Sequence, residues 1–210
     1  MMYFNSFPKI LTTDYNNSGI VLTNIINRIE LIPSLLKNPL AFYSYDIQEG
    51  DTPEIIANKY YGDSYRYWLV LFSNQIIDPQ WNWPLNNSQF NDYLIAKYQQ
   101  VAANNSTDAL TYVQNTVYQY TKTISTTDST TNQTTTRTIV IDESTYNTLN
   151  PLTTTQTFPN GVSVTQEVTK NIVTIYNYEL EQNESKRNIN LINSIYTSEI
   201  EAQFKSLMGA

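Results

Sequence analysis

The spacing of apolar positions changes along this chain, and the changes mark its elements. "FYSYDI" (Phe42–Ile47) has the aromatic and β-branched make-up of a strand. Gly50 and Asp51 then turn the chain, and Thr52 is placed to cap a helix whose first residue, Pro53, gives up an N–H that would have no helical partner. Ile55, Ile56 and Tyr60 supply the apolar face, and Gly62 stops the helix. A second helix follows, with Ser64 as cap and Trp68, Leu71 and Phe72 on its inner side. Only Gly62-Asp63 joins the two helices, so they must pack closely, with Ile56 facing Trp68 and with Tyr60 and Leu71 beside them. Asn74 to Pro79 reads as a turn, and "WNWPL" (Trp81–Leu85) as an aromatic-rich irregular segment.

Outside this stretch the patterning is more varied. "GIVLTNIINRIELIP" (Gly19–Pro33) has helical spacing at Val21, Ile25 and Ile29, but its β-branched content favours an extended segment. Ser88 is placed to cap a third helix, along which Phe90, Leu94, Tyr98 and Val101 form a stripe that reads as core packing. From Thr121 to Thr138 ten of eighteen residues are Thr, so few side chains can enter a core. This is a long hairpin tip or a flexible loop, dispensable for folding, between the strand-like "TYVQNTVYQYTKTI" and "RTIVIDESTY". "PNG" (Pro159–Gly161) marks a turn between "TQTF" and the alternating "VSVTQEV". The tail ends in a helix with Ser198 and Glu201 as a capping box, Ile200, Phe204 and Leu207 as its face, and Gly209 as its stop. Helices and hairpins in separate stretches predict an α+β fold.

Composition narrows the chemistry. The 210 residues carry neither cysteine nor histidine, which removes disulfides, Cys/His zinc sites and nucleophiles that need a histidine base. The absence of cysteine fits a reducing compartment and equally a particle that avoids disulfides. Net charge is −7 with no Lys/Arg cluster, so no nucleic-acid partner is expected. No apolar stretch reaches the roughly 18 residues of a bilayer span, and "MMYFNSFPKI" lacks a basic region followed by an apolar run, so neither a membrane route nor a secretory signal is expected. Seventeen tyrosines suit a sheet core or an interface, since Tyr offers a large contact area with few rotors and a polar tip.

The remaining candidates for catalysis are carboxylates: Asp46, Glu49, Asp51 and Glu54 around the first turn, and Asp63 and Asp78 in the later loops. Glycosidase chemistry needs two such groups across a cleft, one protonated and one ionised. Each acid here has a simpler reading as a turn former or a helix-start charge, so no catalytic residue is assigned. With five glycines there is no phosphate-cradling loop, and "DSTTN" lacks the glycine and terminal Glu of a calcium loop, so no cofactor or metal is expected.

The run "YDIQEGDTPEIIANKYYGD…W…N" resembles the lysin-motif (LysM) module, a strand–helix–helix–strand unit that commonly binds N-acetylglucosamine polymers. Tyr45, Gly50-Asp51-Thr52, Ile56-Ala57, Tyr60 and Asn74 match its pattern. The resemblance implies contact loops at Gly50, Asp51, Thr52 and Pro53 and at Asn74, Gln75, Ile76, Ile77 and Asp78, with Trp81 and Trp83 next to them. The chain departs from the module where the second strand is due: in place of a glycine and an "L-x-I-P" strand it has "DPQWNWPLNNSQF".

Taken with "YFNSFPKI", "FNDYLIAKY" and "YNYELEQNESKRNINLI", the whole resembles the small baseplate wedge subunit of T-even-like contractile-tailed bacteriophages, over residues 1–100 and 172–208. That resemblance implies a structural subunit of the virion tail, assembled in the host cytoplasm. It would join adjacent wedges around the tail hub and contact other wedge proteins and a sheath-initiator-like subunit. The residues themselves divide into an N-terminal extension (1–42), a LysM-like module (43–85), a linking helix (86–109), a β-rich, Thr-rich insertion (110–180) and a helical tail (181–210), and the Thr-rich middle is not part of the resemblance. The alternative is a peptidoglycan-binding module. The two differ at Trp81–Leu85, which a protein clamp would bury against protein and a glycan reader would leave facing an open groove. Glycan binding is not expected.

Overall fold

The computed structural model describes residues 3–26 and 38–208. Helices and small antiparallel sheets occur in separate stretches, so the fold is α+β. The chain divides into two compact units, residues 1–86 with 183–210, and residues 87–182.

The first unit opens with a hairpin of β1 (Lys9–Thr13) and β2 (Gly19–Thr23), in register from Lys9↔Thr23 to Thr13↔Gly19. The expected extended reading of 19–33 holds over β2, and Ile29 lies outside the described residues. Strand β3 (Phe42–Asp46) leads into a turn at Gly50, whose φ of 83° is a left-handed conformation that glycine adopts without Cβ strain. Helix α1 (Pro53–Tyr61) starts at Thr52, whose hydroxyl accepts the Ile55 N–H, and stops at Gly62 with φ 72°. The cap of the next turn is Asp63 in place of the expected Ser64: its carboxylate accepts the Tyr65 N–H at 2.9 Å, opening a 3-10 turn that runs into α2 (Tyr67–Ser73). Asp78 caps the short α3 (Pro79–Asn82).

The chain then enters the second unit through α4 (Asn87–Asn104) and α5 (Ala109–Asn115). Helix α4 begins at Asn87, so Ser88 is its second residue. Its inner stripe is Phe90, Leu94 and Ala102, with Tyr98 half-buried, and the expected Val101 faces outward at 45% exposure. Helix α5 covers Thr111–Asn115, part of a stretch expected to be strand, because Asp108 accepts the Thr111 N–H and starts a helix there. Strands β4 (Val117–Asp128) and β5 (Thr134–Ile141), helix α6 (Glu143–Thr148), then β6 (Leu152–Thr157) and β7 (Ser163–Thr174) follow. They form one antiparallel sheet in the order β5-β4-β7-β6. The Thr-rich segment is therefore hairpin strand, not flexible loop, and the turn around Pro159–Gly161 joins β6 to β7.

Helix α7 (Ile175–Glu184) leads back to the first unit, where β8 (Asn188–Ile192) pairs antiparallel with β3, from Phe42↔Ile192 to Asp46↔Asn188. The last helix, α8 (Thr197–Met208), follows a 3-10 turn capped by Asn193. Its buried stripe is Thr197, Phe204 and Met208, with Ile200 packed against the core. Leu207, expected inside, is 71% exposed, and Glu201 pairs with Arg66 instead of closing a capping box with Ser198. Gly209 lies outside the described residues. The core gathers Ile56, Ala57, Tyr61, Trp68, Leu69 and Val70 from the helix pair, Ile189, Leu191 and Ile192 from β8, and Phe204 and Met208 from α8.

Candidate partner-contact surface

The surface is built on the turn between β3 and α1. Asp51 is 7% exposed and carries three hydrogen bonds: Tyr45 Oη donates at 2.7 Å, the Gln48 N–H at 3.1 Å and Lys59 Nζ at 2.6 Å. Burial would push this carboxyl up, but the bonds from Lys59, Tyr45 and Gln48 outweigh it and hold the group below the ordinary aspartate range. The same bond, with burial behind it, pushes the Tyr45 phenol up to about 12. Asp51 is thus fully employed within its own turn.

Its backbone carbonyl accepts the indole N–H of Trp83 at 2.9 Å, which draws the end of the 74–83 segment to the Gly50–Pro53 turn. The two loops expected to lie together are therefore linked here by Trp83. Trp83 is half-buried against the core, whereas Trp81 is 69% exposed, held through its backbone: its N–H donates to the Asp78 carbonyl and its carbonyl accepts from Lys186.

Asn74 does not offer its amide to solvent. Its Oδ1 accepts the Asn190 N–H at 2.8 Å, and its Nδ2 donates to the carbonyls of Asn190 and Val70 at 2.9 and 2.8 Å. It is a side-chain clamp on β8. Beyond it Gln75 takes φ 55°, and the Ile76 N–H returns to the Leu71 carbonyl at 2.9 Å, closing the end of α2. Ile77 is then left 77% exposed. Thr52 and Asp78 are occupied as caps, and Pro53 is buried. Three large apolar side chains face outward here, Ile55 at 41%, Ile77 and Trp81, beside the exposed polar Thr52, Gln75 and Asp78.

Of the four expected core residues, Ile56 and Trp68 are buried, and the Trp68 ring lies 5.0 Å from that of Phe204. Tyr60 is half-buried, stacked on Tyr43 with centroids 5.7 Å apart. Leu71 is only half-buried. Leu69 and Val70 hold the inner face of α2, because the 3-10 turn before it rotates the helix relative to a start at Ser64.

The long-range pairs had no local signal. Arg66 grips Glu201 through Nε at 2.8 Å and Nη2 at 3.3 Å. Arg187 meets Glu184 and Glu49 and donates to the Ile47 carbonyl. Arg and Glu at these separations in sequence look like solvated charges until the C-terminal segment is seen to return. The β1–β2 hairpin was likewise not singled out. Its paired Ile10 and Leu22 are 44% and 46% exposed, and its paired Leu11 and Val21 78% and 67%, so both faces present apolar side chains.

Among the described residues no helix is long and apolar enough to cross a membrane. A search of curated proteins finds no match to this chain. The model of one protein family, base plate wedge protein 53 of phages, matches residues 2–208. With nearly the whole sequence matched, the chain belongs to the base plate wedge protein 53 family.

Proposed function

We propose that this chain is a joining subunit of a T-even-like phage baseplate, whose strand–helix–helix–strand unit serves as a protein clamp. As a member of its family it has a structural role in the baseplate, among other baseplate proteins and in the virion tail. The finer reading is that it links adjacent wedges around the hub, touches a sheath-initiator-like subunit, is assembled in the host cytoplasm and performs no catalysis.

One observation carries the clamp reading. Two polar groups that would read a sugar in the two loops, Asp51 and Asn74, are spent on their own chain, while two large apolar side chains, Ile77 and Trp81, are left outward beside Thr52, Gln75 and Asp78. Large exposed apolar side chains, a tryptophan among them, suit a protein interface, where aromatics anchor binding. A LysM-like reading is supported by the order β3, α1, α2, β8 with antiparallel strands: the second strand, missing after α2, is supplied by "NINLI" at residues 188–192.

The test is co-purification with neighbouring baseplate proteins beside sedimentation with purified peptidoglycan. Ile77→Asp and Trp81→Asp are expected to abolish the first while leaving the melting temperature unchanged. Sedimentation with peptidoglycan that is lost in Trp81→Asp would overturn the clamp in favour of glycan reading.

A further inference from the structure

The sheet of the second unit has two open edges, β5 and β6, and from Lys122 to Thr174 no described residue is buried. The register shows which backbone groups face outward. Phe158 donates its N–H to the Val162 carbonyl, so 158/162, 156/164, 154/166 and 152/168 are the hydrogen-bonded pairs of β6 and β7. The N–H and C=O groups of Thr153, Thr155 and Thr157 therefore point away from the sheet. By the same logic the Asp128 N–H to Gln133 carbonyl bond sets the β4–β5 ladder, and Thr134, Thr136 and Thr138 present the outward groups of β5.

Natural edges are blunted by charges, prolines, bulges or a covering element. Strand β6, "LTTTQT", has no charge and no proline, and all six residues are exposed. Strand β5, "TTTRTIVI", carries the single charge Arg137 and no proline.

The two edges also match each other. In the order β5-β4-β7-β6 with every pair antiparallel, β5 and β6 run in opposite directions. Their outward threonines lie on the same face of the sheet, because Thr134 is opposite Thr127, Thr127 opposite Thr165, and Thr165 opposite Thr155. That face already pairs hydroxyl with hydroxyl: Thr127 with Thr134 at 2.9 Å, Thr123 with Thr138 at 3.2 Å, Thr155 with Thr165 at 3.1 Å and Thr157 with Ser163 at 2.9 Å.

We propose that copies of this chain join head to tail through these edges, β5 of one copy pairing with β6 of the next. The joint would continue the antiparallel alternation and set threonine opposite threonine on one face, as Thr127 stands opposite Thr165 across β4 and β7, a pairing that threonine favours across strands. Charge points to the same occupant. The unit holds eight Asp and Glu against four Lys and Arg, yet its edge strands carry no acid, and their one charge, Arg137, is a cation brought to an acidic neighbour. A head-to-tail contact closes a ring or extends a row. The proposal goes beyond the joining role and rests on the second unit alone, so its failure would leave the clamp reading in place.

The test uses proline at outward N–H positions, which removes an edge donor without touching the internal ladder. Sedimentation of the full chain is expected to show a concentration-dependent series of oligomers. Thr155→Pro and Thr136→Pro should each be monomeric by themselves, with unchanged circular dichroism. Mixed together they should form one-to-one pairs, because each retains the edge that the other lacks. Thr155→Lys and Thr136→Lys take their place if a proline variant misfolds. A wild-type chain that stays monomeric across the series would overturn the proposal. So would dimerisation of Thr136→Pro by itself, which would mean two-fold pairing of β6 with β6.

Discussion

Asp51 shows how one side chain settles what a loop is for. In sequence it is the middle of a Gly-Asp-Thr turn, equally readable as a turn former or a ligand contact. In the fold its carboxylate gathers Tyr45, Gln48 and Lys59. Because its folded pKa lies below the unfolded value, its contribution to stability is complete above the unfolded value of ~3.9 and is lost as pH falls through the folded one. Asp51→Asn should therefore destabilise the protein by about 1–3 kcal/mol near neutral pH, with the gap to wild type closing under acid conditions. Urea titrations along a descending pH series would measure it. A gap that keeps its size down to the acid end would show that the charge is not what matters. The sequence pointed to this residue but not to its partners: Lys59 is eight positions on, across a helix whose packing decides where its amine reaches.

At the scale of elements, the short-range pieces were legible and the long-range pairing was not. The Thr52 cap, Pro53 and the Gly62 stop are all local chemistry, and α1 lies where they put it. Two helical stripes depart from the expected spacing in the same way. In α4 the step from Tyr98 goes four to Ala102 instead of three to Val101, and in α8 from Phe204 four to Met208 instead of three to Leu207. A period of 3.6 permits either step, and packing takes the residue that points inward even where its neighbour is the larger or branched one. The return of β8 had no local signal because its partner lies more than 140 residues earlier.

That return changes the expectation for Asn74. Read as a loop residue, it could be truncated at small cost, but as a clamp on Asn190 its loss leaves backbone groups of β8 without their partner. Asn74→Ala should cost about 1–3 kcal/mol and speed hydrogen exchange along 188–192 before exchange elsewhere in the unit. Exchange that is uniform or unchanged would contradict the clamp. The Thr-rich segment needs the same correction. Replacing 121–138 by a short turn removes most of β4, which pairs with both β5 and β7, so it should abolish the sheet signal in circular dichroism instead of leaving stability untouched. Trimming only the tip, Ser129–Asn132, to a tight Asn-Gly turn should leave that signal intact.

At the scale of the whole chain, the two points where the chain leaves and re-enters the first unit are joined by one side chain of that unit. The chain leaves the first unit after Asn86 and rejoins it at Asn183. The Asn183 Oδ1 accepts the Leu85 N–H at 2.7 Å, and its Nδ2 donates to the Leu85 carbonyl at 3.0 Å. The two ends are thus held a side chain apart, and a short Gly/Ser linker can span them. Closing a short loop costs less entropy than closing a long one, by about 0.6 kcal/mol per halving, so the exchange lowers the closure cost by roughly 2–3 kcal/mol and does not disfavour the shortened chain. The core of the first unit draws on neither α4 nor the sheet. All three tryptophans, Trp68, Trp81 and Trp83, lie in that unit, so their fluorescence reports it selectively. Replacing residues 87–182 by the linker should leave a cooperative tryptophan transition at or above the temperature of that of the full chain. Asn183→Ala in the shortened chain should then lower it, because the Leu85 groups lose their partner. A shortened chain with no cooperative transition would show that the first unit needs the second to fold, and the two would have to be treated as one folding unit.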